Sequence, residues 1–297
     1  MNITPTRYSY YWVDVFTEQA FGGNPLVVFP HAEGLDPQTM QQIAREFNTS
    51  ETTFVLPGQN HTQNPDSNTY TVRIFTPGQE IPFAGHPSLG TAWVLKDLHS
   101  LKSEEVMLIE GVGEIPVRFC SDGSLELESS VTPKYQEMPL SQAELADFLG
   151  VKASDIGLKN LPPEIVFCGL PYALVPLGSL QAIQSARYNW AEDHPLLEAH
   201  PHLRELYLIC PETEDPSVDY HVRMFAPHVG VPEDPATGSA AATLGAYLMK
   251  HRPQESTWQL EQGLEMGRPS RLHLRRNAGQ IFVRGFVRPF AKGEIEI

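Results

Sequence analysis

Two glycine-containing loops carry most of the polar residues that could take part in chemistry. Each loop ends in a glycine followed by a polar residue, as Gly85-His86 and as Gly238-Ser239. A loop of this kind that enters a helix start exposes unpaired backbone N–H groups, and the helix dipole adds partial positive charge there. Such a start binds a small anion without Lys or Arg, so the sequence predicts a carboxylate-binding site. The polar side chains near the loops are Glu80, His86, Ser88, Glu233, Asp234, Thr237 and Ser239.

Glu51 lies elsewhere in the chain, after Asn48-Thr49-Ser50, at the start of a predicted strand. A proton-transfer enzyme needs a carboxylate or imidazole whose pKa is moved toward neutrality by partial burial. Glu51 suits that role if the run Thr53 to Leu56 holds it at the wall of a cleft. The alternative is a solvated carboxylate at a strand edge, because Glu is mostly exposed in proteins.

His86, Asp234 and Ser239 each have a simpler interpretation beside the chemical one. At a helix start the dipole favours a neutral His86 ring, although His86 is equally well explained as a capping or packed residue. The simpler role of Asp234 is to cap the loop amides. Ser239 is a nucleophile only with a base beside it, and Gly238-Ser239-Ala240 breaks the Gly-x-Ser-x-Gly pattern. A hydrogen-bonding or N-cap role therefore fits Ser239 better.

The sequence contains no motif for a metal ion or a nucleotide cofactor. His200-x-His202 has no matching Cys or carboxylate spacing and is interpreted as an ordinary loop. No Gly-x-Gly-x-x-Gly follows a strand, and no Gly-x-x-x-x-Gly-Lys-Ser/Thr occurs. The three cysteines, Cys120, Cys168 and Cys210, are far apart and odd in number, which argues against a disulfide framework. We therefore expect no metal and no cofactor.

Composition limits the class of partner. The chain has 297 residues, with 21 Lys and Arg against 36 Asp and Glu, and a formal net charge of −15. This acid excess argues against a nucleic acid or an anionic membrane surface as partner. It leaves room for a small anionic substrate, because a local site can be positive on a negative protein. With no apolar run of about 18 residues and no signal-like N-terminus, we expect a soluble cytoplasmic protein.

The elements that must position these residues are short. A strand at Tyr8 to Phe16, a turn at residues 21–25 and a strand at Leu26 to Phe29 precede a helix that Asp36 is predicted to cap. Ser141 and Glu144 predict a capping box, and residues 57–68 and 131–138 are interpreted as a loop and a link. His86 to Lys96 and Ser239 to Met249 are helical and apolar on most sides, which is typical of buried helices. Further predicted strands cover residues 51–56, 70–75, 107–119, 125–127, 165–168, 172–175, 206–210 and 220–225, with strands in the tail from 280 to 297.

An internal repeat connects the two loops. Arg73-Ile74-Phe75-Thr76-Pro77 recurs as Arg223-Met224-Phe225-Ala226-Pro227. Downstream, the block from Pro82 to His86 recurs as Pro235 to Ser239, with three extra residues before the second copy. Each copy continues into a small, apolar helix. The repeat predicts an α/β protein of two similar domains, residues 1–130 and 131–281, whose two helix starts face one carboxylate across a cleft.

These blocks resemble the phenazine-biosynthesis PhzF-like family, over nearly the whole chain from about Tyr11. The resemblance implies the duplicated diaminopimelate-epimerase-like fold, in which each domain wraps a curved sheet around a central helix. It also implies that the last strand, about residues 282–297, returns to the first domain. The matching blocks are Asp14 to Thr17 with Phe21 to Pro25, Ser50 to Phe54, Phe75 to Pro77 with Phe83 to Pro87, Glu233 to Ala240, and Gln262-Gly263 with Met266 to Ser270.

The family's activity implies specific roles for residues of this chain. Glu51 matches the acid/base glutamate of the family, and His86, Asp234 and Ser239 match residues that surround the substrate. Gly85 and Gly238, with Thr237 beside them, match the loops that supply backbone donors. The best-known family reaction is isomerisation of trans-2,3-dihydro-3-hydroxyanthranilate without metal or organic cofactor, and the resemblance suggests a homodimer.

Three hypotheses about the activity stay open at this point. The first is a cofactor-independent isomerase that moves a proton between carbons of a small, amino-bearing, cyclic carboxylate. The second is an amino-acid-type epimerase or racemase using a one-base route, because the two cysteines of the related racemases are absent at positions 86 and 239. The third is a non-catalytic protein that binds a small carboxylate on the same fold.

Overall fold

The computed structural model describes residues 6–56, 68–129 and 132–297. Their contacts divide the chain into two compact units. One unit runs up to Glu128 and also includes Gly285–Ile297, and the other is Ser129–Arg284. The predicted domain boundary at residues 130 and 131 lies outside the described residues, and so does the predicted loop at residues 57–68 except for Asn68.

In its described residues, 6–56, 68–128 and 285–297, the first unit contains two α-helices among short strands. Its elements in chain order are β1 (Arg7–Val15), β2 (Asn24–Phe29), α1 (Pro37–Phe47), β3 (Glu51–Leu56), β4 (Thr69–Phe75), β5 (Glu80–Ile81), α2 (Gly85–His99), β6 (Glu105–Glu110), β7 (Gly113–Phe119) and β8 (Leu125–Ser129).

The second unit repeats this pattern with additional short helices. Its elements are β9 (Lys134–Glu137), α3 (Gln142–Leu149), β10 (Glu164–Cys168), β11 (Leu170–Pro176), α4 (Leu180–Ser185), α5 (Pro195–Ala199), β12 (Leu206–Cys210), β13 (Tyr220–Ala226), β14 (Val231–Asp234), α6 (Gly238–His251), β15 (Thr257–Gln262), β16 (Ser270–Asn277) and β17 (Gln280–Gly285). The last strand, β18 (Val287–Glu296), pairs with β1 of the first unit.

The strands of the two units pair in the same order and the same directions. In the first unit β2 is parallel to β3 and β4 to β6, while β1–β2, β3–β4, β6–β7 and β7–β8 are antiparallel. In the second, β11 is parallel to β12 and β13 to β15, while β10–β11, β12–β13, β15–β16 and β16–β17 are antiparallel. An outer strand is added at the same place in each, since β18 pairs with β1 and β9 with β10. The fold is therefore a duplicated α/β arrangement.

Each unit has an apolar helix buried against its sheet. The first eight residues of α2, Gly85 to Ala92, are all buried, and α6 is buried from Ala240 to Leu248. A side chain at Gly90 would meet Leu26 at 2.5 Å, and one at Gly245 would meet Ile281 at 2.7 Å. Both glycines thus let a helix approach its sheet closely, which explains why helices without a polar face are stable here.

The opposite face of each sheet is covered by outer helices. Side chains alternate between the two faces of a strand. In β2, Leu26 contacts α2, whereas Val27 and Phe29 join the cluster around Met40 of α1. In β11, Tyr172 reaches α6, whereas Ala173 and Val175 pack with the α3 and α4 residues.

Local signals set the ends of the outer helices as predicted. The Asp36 side chain accepts hydrogen bonds from the Gln38 and Thr39 amides, at 2.9 and 3.1 Å, and α1 ends at Asn48 in the left-handed conformation. The capping box of Ser141 and Glu144 is present at the start of α3. The predicted link at residues 131–138 is wrong in part, because Lys134–Glu137 forms β9. That strand is exposed throughout, so it carries no apolar alternation that the sequence could reveal.

The repeated arginine makes the same contacts in both units. Arg73 pairs with Glu80 at 2.6 Å and stands over the ring of Phe75. Arg223 pairs with Glu233 at 2.8 Å and stands over Phe225. The repeat seen in the sequence is thus a structural repeat, in which an arginine on one strand holds the short strand before the buried helix.

Candidate active site

Glu51 begins β3 directly after the turn that ends α1. The hydroxyl of Thr49 donates to the Glu51 carbonyl at 2.7 Å and fixes this turn. The Glu51 side chain is 14% exposed, and its Oε2 lies 3.2 Å from Nε2 of His86. The interpretation of Glu51 as a solvated carboxylate is therefore wrong, because the side chain is turned inward toward the start of α2.

His86 lies at the second position of α2 and is almost fully buried. The side-chain amide nitrogen of Asn24 is 3.3 Å from Nδ1 of His86. An amide nitrogen is a donor only, so Nδ1 accepts and the ring proton belongs on Nε2, the nitrogen that faces Glu51. The N-cap of this helix is Ala84, so the interpretation of His86 as the capping residue is wrong.

Burial lowers the pKa of His86 to about 3. The ring is therefore neutral at physiological pH, and its Nε2–H is a hydrogen-bond donor rather than part of a cation. The sequence predicted a neutral ring from the helix dipole, but the cause that the structure gives is loss of water. A neutral imidazole beside a carboxylate leaves the carboxylate's charge available for taking up a proton.

Glu80 and Ser88 have partners other than Glu51 and His86. Glu80 is the exposed partner of Arg73. Ser88 lies 2.7 Å from Oε1 of Glu110 in a buried contact. Glu110 was not among the candidates from the sequence, nor was Asn24.

In the second unit, Asp234 and Thr237 are joined across their loop. The Thr237 hydroxyl donates to the Asp234 carboxylate at 2.5 Å. Gln262 donates through its side-chain nitrogen to the Asp234 carbonyl at 2.8 Å and to the Thr237 hydroxyl at 3.0 Å. Asp234 and Thr237 are both nearly buried. The side-chain amide of Gln262 thus holds the loop before α6. In the sequence analysis, Gln262 appeared only as part of a block that matches the family.

Ser239 lies at the second position of α6, the position that His86 has in α2. Its hydroxyl is 2.7 Å from the hydroxyl of Tyr172. Thr237 is the N-cap of this helix, so the N-cap role predicted for Ser239 is wrong, whereas hydrogen bonding is confirmed. Tyr172 was missed because nothing in a strand sequence shows which helix its side chain reaches.

Gly85 and Gly238 are the first residues of α2 and α6, and both are buried. The backbone N–H groups of the first helical turn have no carbonyl partner within the helix. The side chains of the N-cap residues, Ala84 and Thr237, make no capping hydrogen bond to these groups. First-turn N–H donors and partial positive charge of this kind favour an anion, and anion binding by these two starts stays a prediction.

The remaining polar candidates have structural contacts. Glu233 pairs with Arg223, and His202 packs its ring against Phe167. Cys120, Cys168 and Cys210 are free thiols. In residues 6–56, 68–129 and 132–297, no three His, Cys, Asp or Glu side chains are grouped to hold a metal ion. No helix of those same residues has the length and hydropathy that crossing a bilayer requires.

Comparisons with known proteins place this sequence in a family. The sequence profile of the phenazine biosynthesis-like family matches residues 13–285. The trans-2,3-dihydro-3-hydroxyanthranilate isomerase of Pseudomonas aeruginosa is 36% identical over 295 residues, which cover 96% of this chain and 98% of that protein.

Solved structures show the same architecture. A phenazine biosynthesis protein of the PhzF family from Bacillus anthracis matches 98% of this chain and 100% of its own, with 26% identity and a TM-score of 0.86. A hydroxyproline epimerase from Agrobacterium vitis matches 98% of this chain and 93% of its own, with 14% identity and a TM-score of 0.57. The second similarity concerns the fold alone.

The similarity to named isomerases over nearly the whole chain shows an isomerase, and the solved structures show a duplicated epimerase-like fold. The chain belongs to the phenazine biosynthesis-like, or PhzF, family. Its substrate is accordingly a small molecule.

Proposed function

We propose that this isomerase moves a proton between two carbons of a small carboxylate by general acid/base catalysis at Glu51, without a metal or an organic cofactor. In the forward step the Glu51 carboxylate takes a carbon-bound proton, and the electron pair is delocalised into the conjugated system of the substrate. Glu51 then returns the proton to another carbon, so that atoms and charge are unchanged overall. General acid/base catalysis of this kind contributes about 10²–10⁴-fold to a rate.

One observation carries the proposal: Oε2 of Glu51 and Nε2 of the buried, neutral His86 are 3.2 Å apart at the start of α2. A catalytic carboxylate needs partial burial, a defined orientation and a neighbour that does not neutralise it by full ion pairing. A neutral imidazole at this distance adds no positive charge that would neutralise the carboxylate. His86 is thereby suited to holding a polar substrate group beside the carboxylate.

The second unit supplies binding groups in the same proposal. The carboxylate of Asp234, in a loop that Thr237 and Gln262 hold, is assigned to an amino group of the substrate. Ser239 and the backbone donors after Gly238 are assigned to oxygens of the substrate, and the backbone donors after Gly85 are proposed as an anion-binding helix start of the first unit. The favoured substrate class is a cyclic amino carboxylate, such as the compound that names the Pseudomonas relative.

The test is incubation of the protein with trans-2,3-dihydro-3-hydroxyanthranilate in D₂O, followed by NMR. The proposal predicts an isomerised product whose new C–H bond carries either the proton taken from the first carbon or a deuteron that exchanged onto Glu51 during turnover. Exchange at a single stereocentre without migration would instead identify an epimerase of the one-base type. Binding without product formation and without exchange, for this compound and for a panel of related cyclic amino carboxylates, would identify a carboxylate-binding protein and refute the proposal.

We also infer a cytoplasmic homodimer. Three free thiols fit a reducing compartment, and a net charge of −15 disfavours anionic membranes and nucleic acids as partners. Light scattering of the purified protein tests the dimer, which a mass near 33.1 kDa would contradict. Activity that survives exhaustive dialysis against a chelator tests independence from metal, and a loss restored by a divalent ion would refute it.

A further inference from the structure

Glu110 and Gln262 occupy the same place in the two repeats. In the first unit Tyr70 of β4 is paired with Leu108 of β6, and in the second Tyr220 of β13 is paired with Leu260 of β15. Two residues further along, β6 ends at Glu110 and β15 ends at Gln262. A carboxyl group in one unit therefore stands where the other unit has a carboxamide.

Gln262 holds the loop that leads into α6. Its side-chain nitrogen donates to the Asp234 carbonyl and to the Thr237 hydroxyl, and its side-chain oxygen accepts from the Thr237 amide at 3.3 Å. The next residue, Gly263, lies against the loop proline, since a side chain there would meet the Pro235 carbonyl at 2.6 Å. This pair of residues thus fixes the N-cap of α6.

The Glu110-Gly111 pair makes the corresponding approach in the first unit. A side chain at Gly111 would meet the Cα of Pro82 at 2.7 Å, so the backbone after β6 lies directly against the loop before α2. Glu110 reaches the first turn of α2 itself, where its Oε1 is 2.7 Å from the Ser88 hydroxyl. The contact holds the turn that carries His86, two residues before Ser88.

The contacts of Ser88 indicate that Glu110 carries a proton. The Ser88 hydroxyl is also 2.8 Å from the carbonyl oxygen of Ala84. A hydroxyl has one proton and can donate it once, so both short contacts are hydrogen bonds only if the carboxyl group donates in one of them. A protonated carboxyl group has an O–H donor beside an acceptor oxygen, and the end of a Gln side chain likewise has a donor group, with two N–H bonds, beside an acceptor oxygen.

Burial is consistent with this protonation. Glu110 is 6% exposed, and burial raises its pKa to about 8, while the hydrogen bond with Ser88 lowers it. The titratable groups on the adjoining elements are His86, Lys96, Asp97 and His99 of α2, Tyr70 and Arg73 of β4, Glu80 of β5, and Glu114 and Arg118 of β7. None of their charges is among the causes of the shift. Arg73 and Glu80 pair with each other, and His86 is neutral.

We propose that Glu110 is a positioning residue of this isomerase, a neutral carboxylic acid that holds the first turn of α2, and with it His86, as the Gln262 amide holds the loop before α6. Glu110 acts through Ser88 and the backbone and takes no part in the proton transfer. The consequence for catalysis rests on the proposed function of Glu51 and His86. The consequence for protonation and for the His86 ring does not.

The first experiment therefore needs no activity. Protein labelled with ¹³C at the glutamate carboxyl carbons is titrated by NMR, and Glu110→Gln identifies the signal of Glu110. A carboxyl group that titrates near pH 8 is expected. Titration near the ordinary Glu value of about 4.5 would overturn the proposal, whether or not a substrate is known.

The second experiment follows the His86 ring and the rate. In Glu110→Gln, the ¹⁵N shifts of His86 and kcat at neutral pH are expected to match those of the unsubstituted protein. The kcat of the unsubstituted protein is expected to decline above about pH 8, where Glu110 ionises, and the kcat of Glu110→Gln is not. Glu110→Leu, checked for folding by circular dichroism, is expected to change the His86 shifts and to lower kcat by about 100-fold with KM less affected. Unchanged His86 shifts in Glu110→Leu, or a large loss of kcat in Glu110→Gln, would contradict the positioning role.

Discussion

The two units have one strand topology but different chemistry at the start of the buried helix. The second position of the helix is His86 in the first unit and Ser239 in the second. The first unit places a carboxylate beside that residue, and the second places the Tyr172 hydroxyl there. The duplication thus preserves a helix start led by glycine, and the residue proposed to transfer the proton, Glu51, belongs to the first unit.

Glu51 of the first unit has a counterpart in the second unit, Glu205, which has a different neighbour. Arg73 is opposite Phe54 across β3 and β4, and Arg223 is opposite Leu208 across β12 and β13. This register places Glu51 and Glu205 at equivalent positions. Glu205 pairs with His228 at 3.5 Å, and Glu51 lies beside His86. Glu205 is therefore a matched control for Glu51.

The largest effect is expected for Glu51→Gln. This substitution keeps the size of the side chain but removes the base, so kcat is expected to fall by about 10²–10⁴-fold. Glu205→Gln makes the same chemical change at the equivalent position and is expected to keep most of the activity. Steady-state kinetics on the isomerised substrate would refute the comparison if both variants lost the same activity, or if neither did.

Loss of the repeated arginine is expected to destabilise the two units unequally. Arg223 is buried and also donates to the carbonyls of Ile183 and Ala186, whereas the side chain of Arg73 is 25% exposed beside a 43% exposed Glu80. Arg223→Met is expected to cost about 3–5 kcal/mol, because it leaves Glu233 without its cation. Arg73→Met is expected to cost less than about 1 kcal/mol. Urea denaturation measures both, and equal shifts of the midpoint would contradict this contrast.

The protonation of Glu110 predicts how stability depends on pH. A carboxyl group whose pKa is raised on folding stabilises the protein fully below the unfolded value of 4.5, and that contribution is lost as the pH rises toward about 8. Between about pH 5.5 and about pH 7, the free energy of unfolding is expected to fall by about 2 kcal/mol relative to Glu110→Gln. Denaturant titrations measure the free energy of unfolding of both proteins at each pH. If it changed with pH in the same way in both, Glu110 would be ionised in the folded state.

The smallest effect is expected for Ser239→Ala. In the proposed function its hydroxyl makes one hydrogen bond to the substrate, worth about 1 kcal/mol. KM is expected to rise about fivefold with little change in kcat, since binding rather than proton transfer is affected. A loss of kcat as large as that of Glu51→Gln would mean that the second unit takes part in the chemistry.

The sequence predicted those parts of the fold that local patterns determine. The caps of α1 and α3, the strand at Glu51–Leu56 and the two buried helices are confirmed. The fold class and the isomerase activity were predicted from motif blocks and are supported by the comparisons. Strands β15 and β16 were missed, although Trp258, Leu260 and Gln262 alternate on one buried face.

The site contacts depend on strand pairing, which a single sequence does not show. Asn24 was interpreted as part of a turn, but it begins β2 and directs its amide to His86. Glu110 and Gln262 are 152 positions apart, and only the register of β4 with β6 and of β13 with β15 makes them equivalent. Extending the alignment of the repeat by one further strand would have found them.

The central claim is that Glu51 is the residue that touches the reacting carbon. It is tested most directly by a crystal structure of Glu51→Gln with trans-2,3-dihydro-3-hydroxyanthranilate bound. The account predicts that the side chain at position 51 lies about 3–3.5 Å from the carbon that loses its proton, with the ring of His86 on a polar group of the substrate. A substrate bound in productive form with position 51 out of reach of every one of its carbons would contradict it.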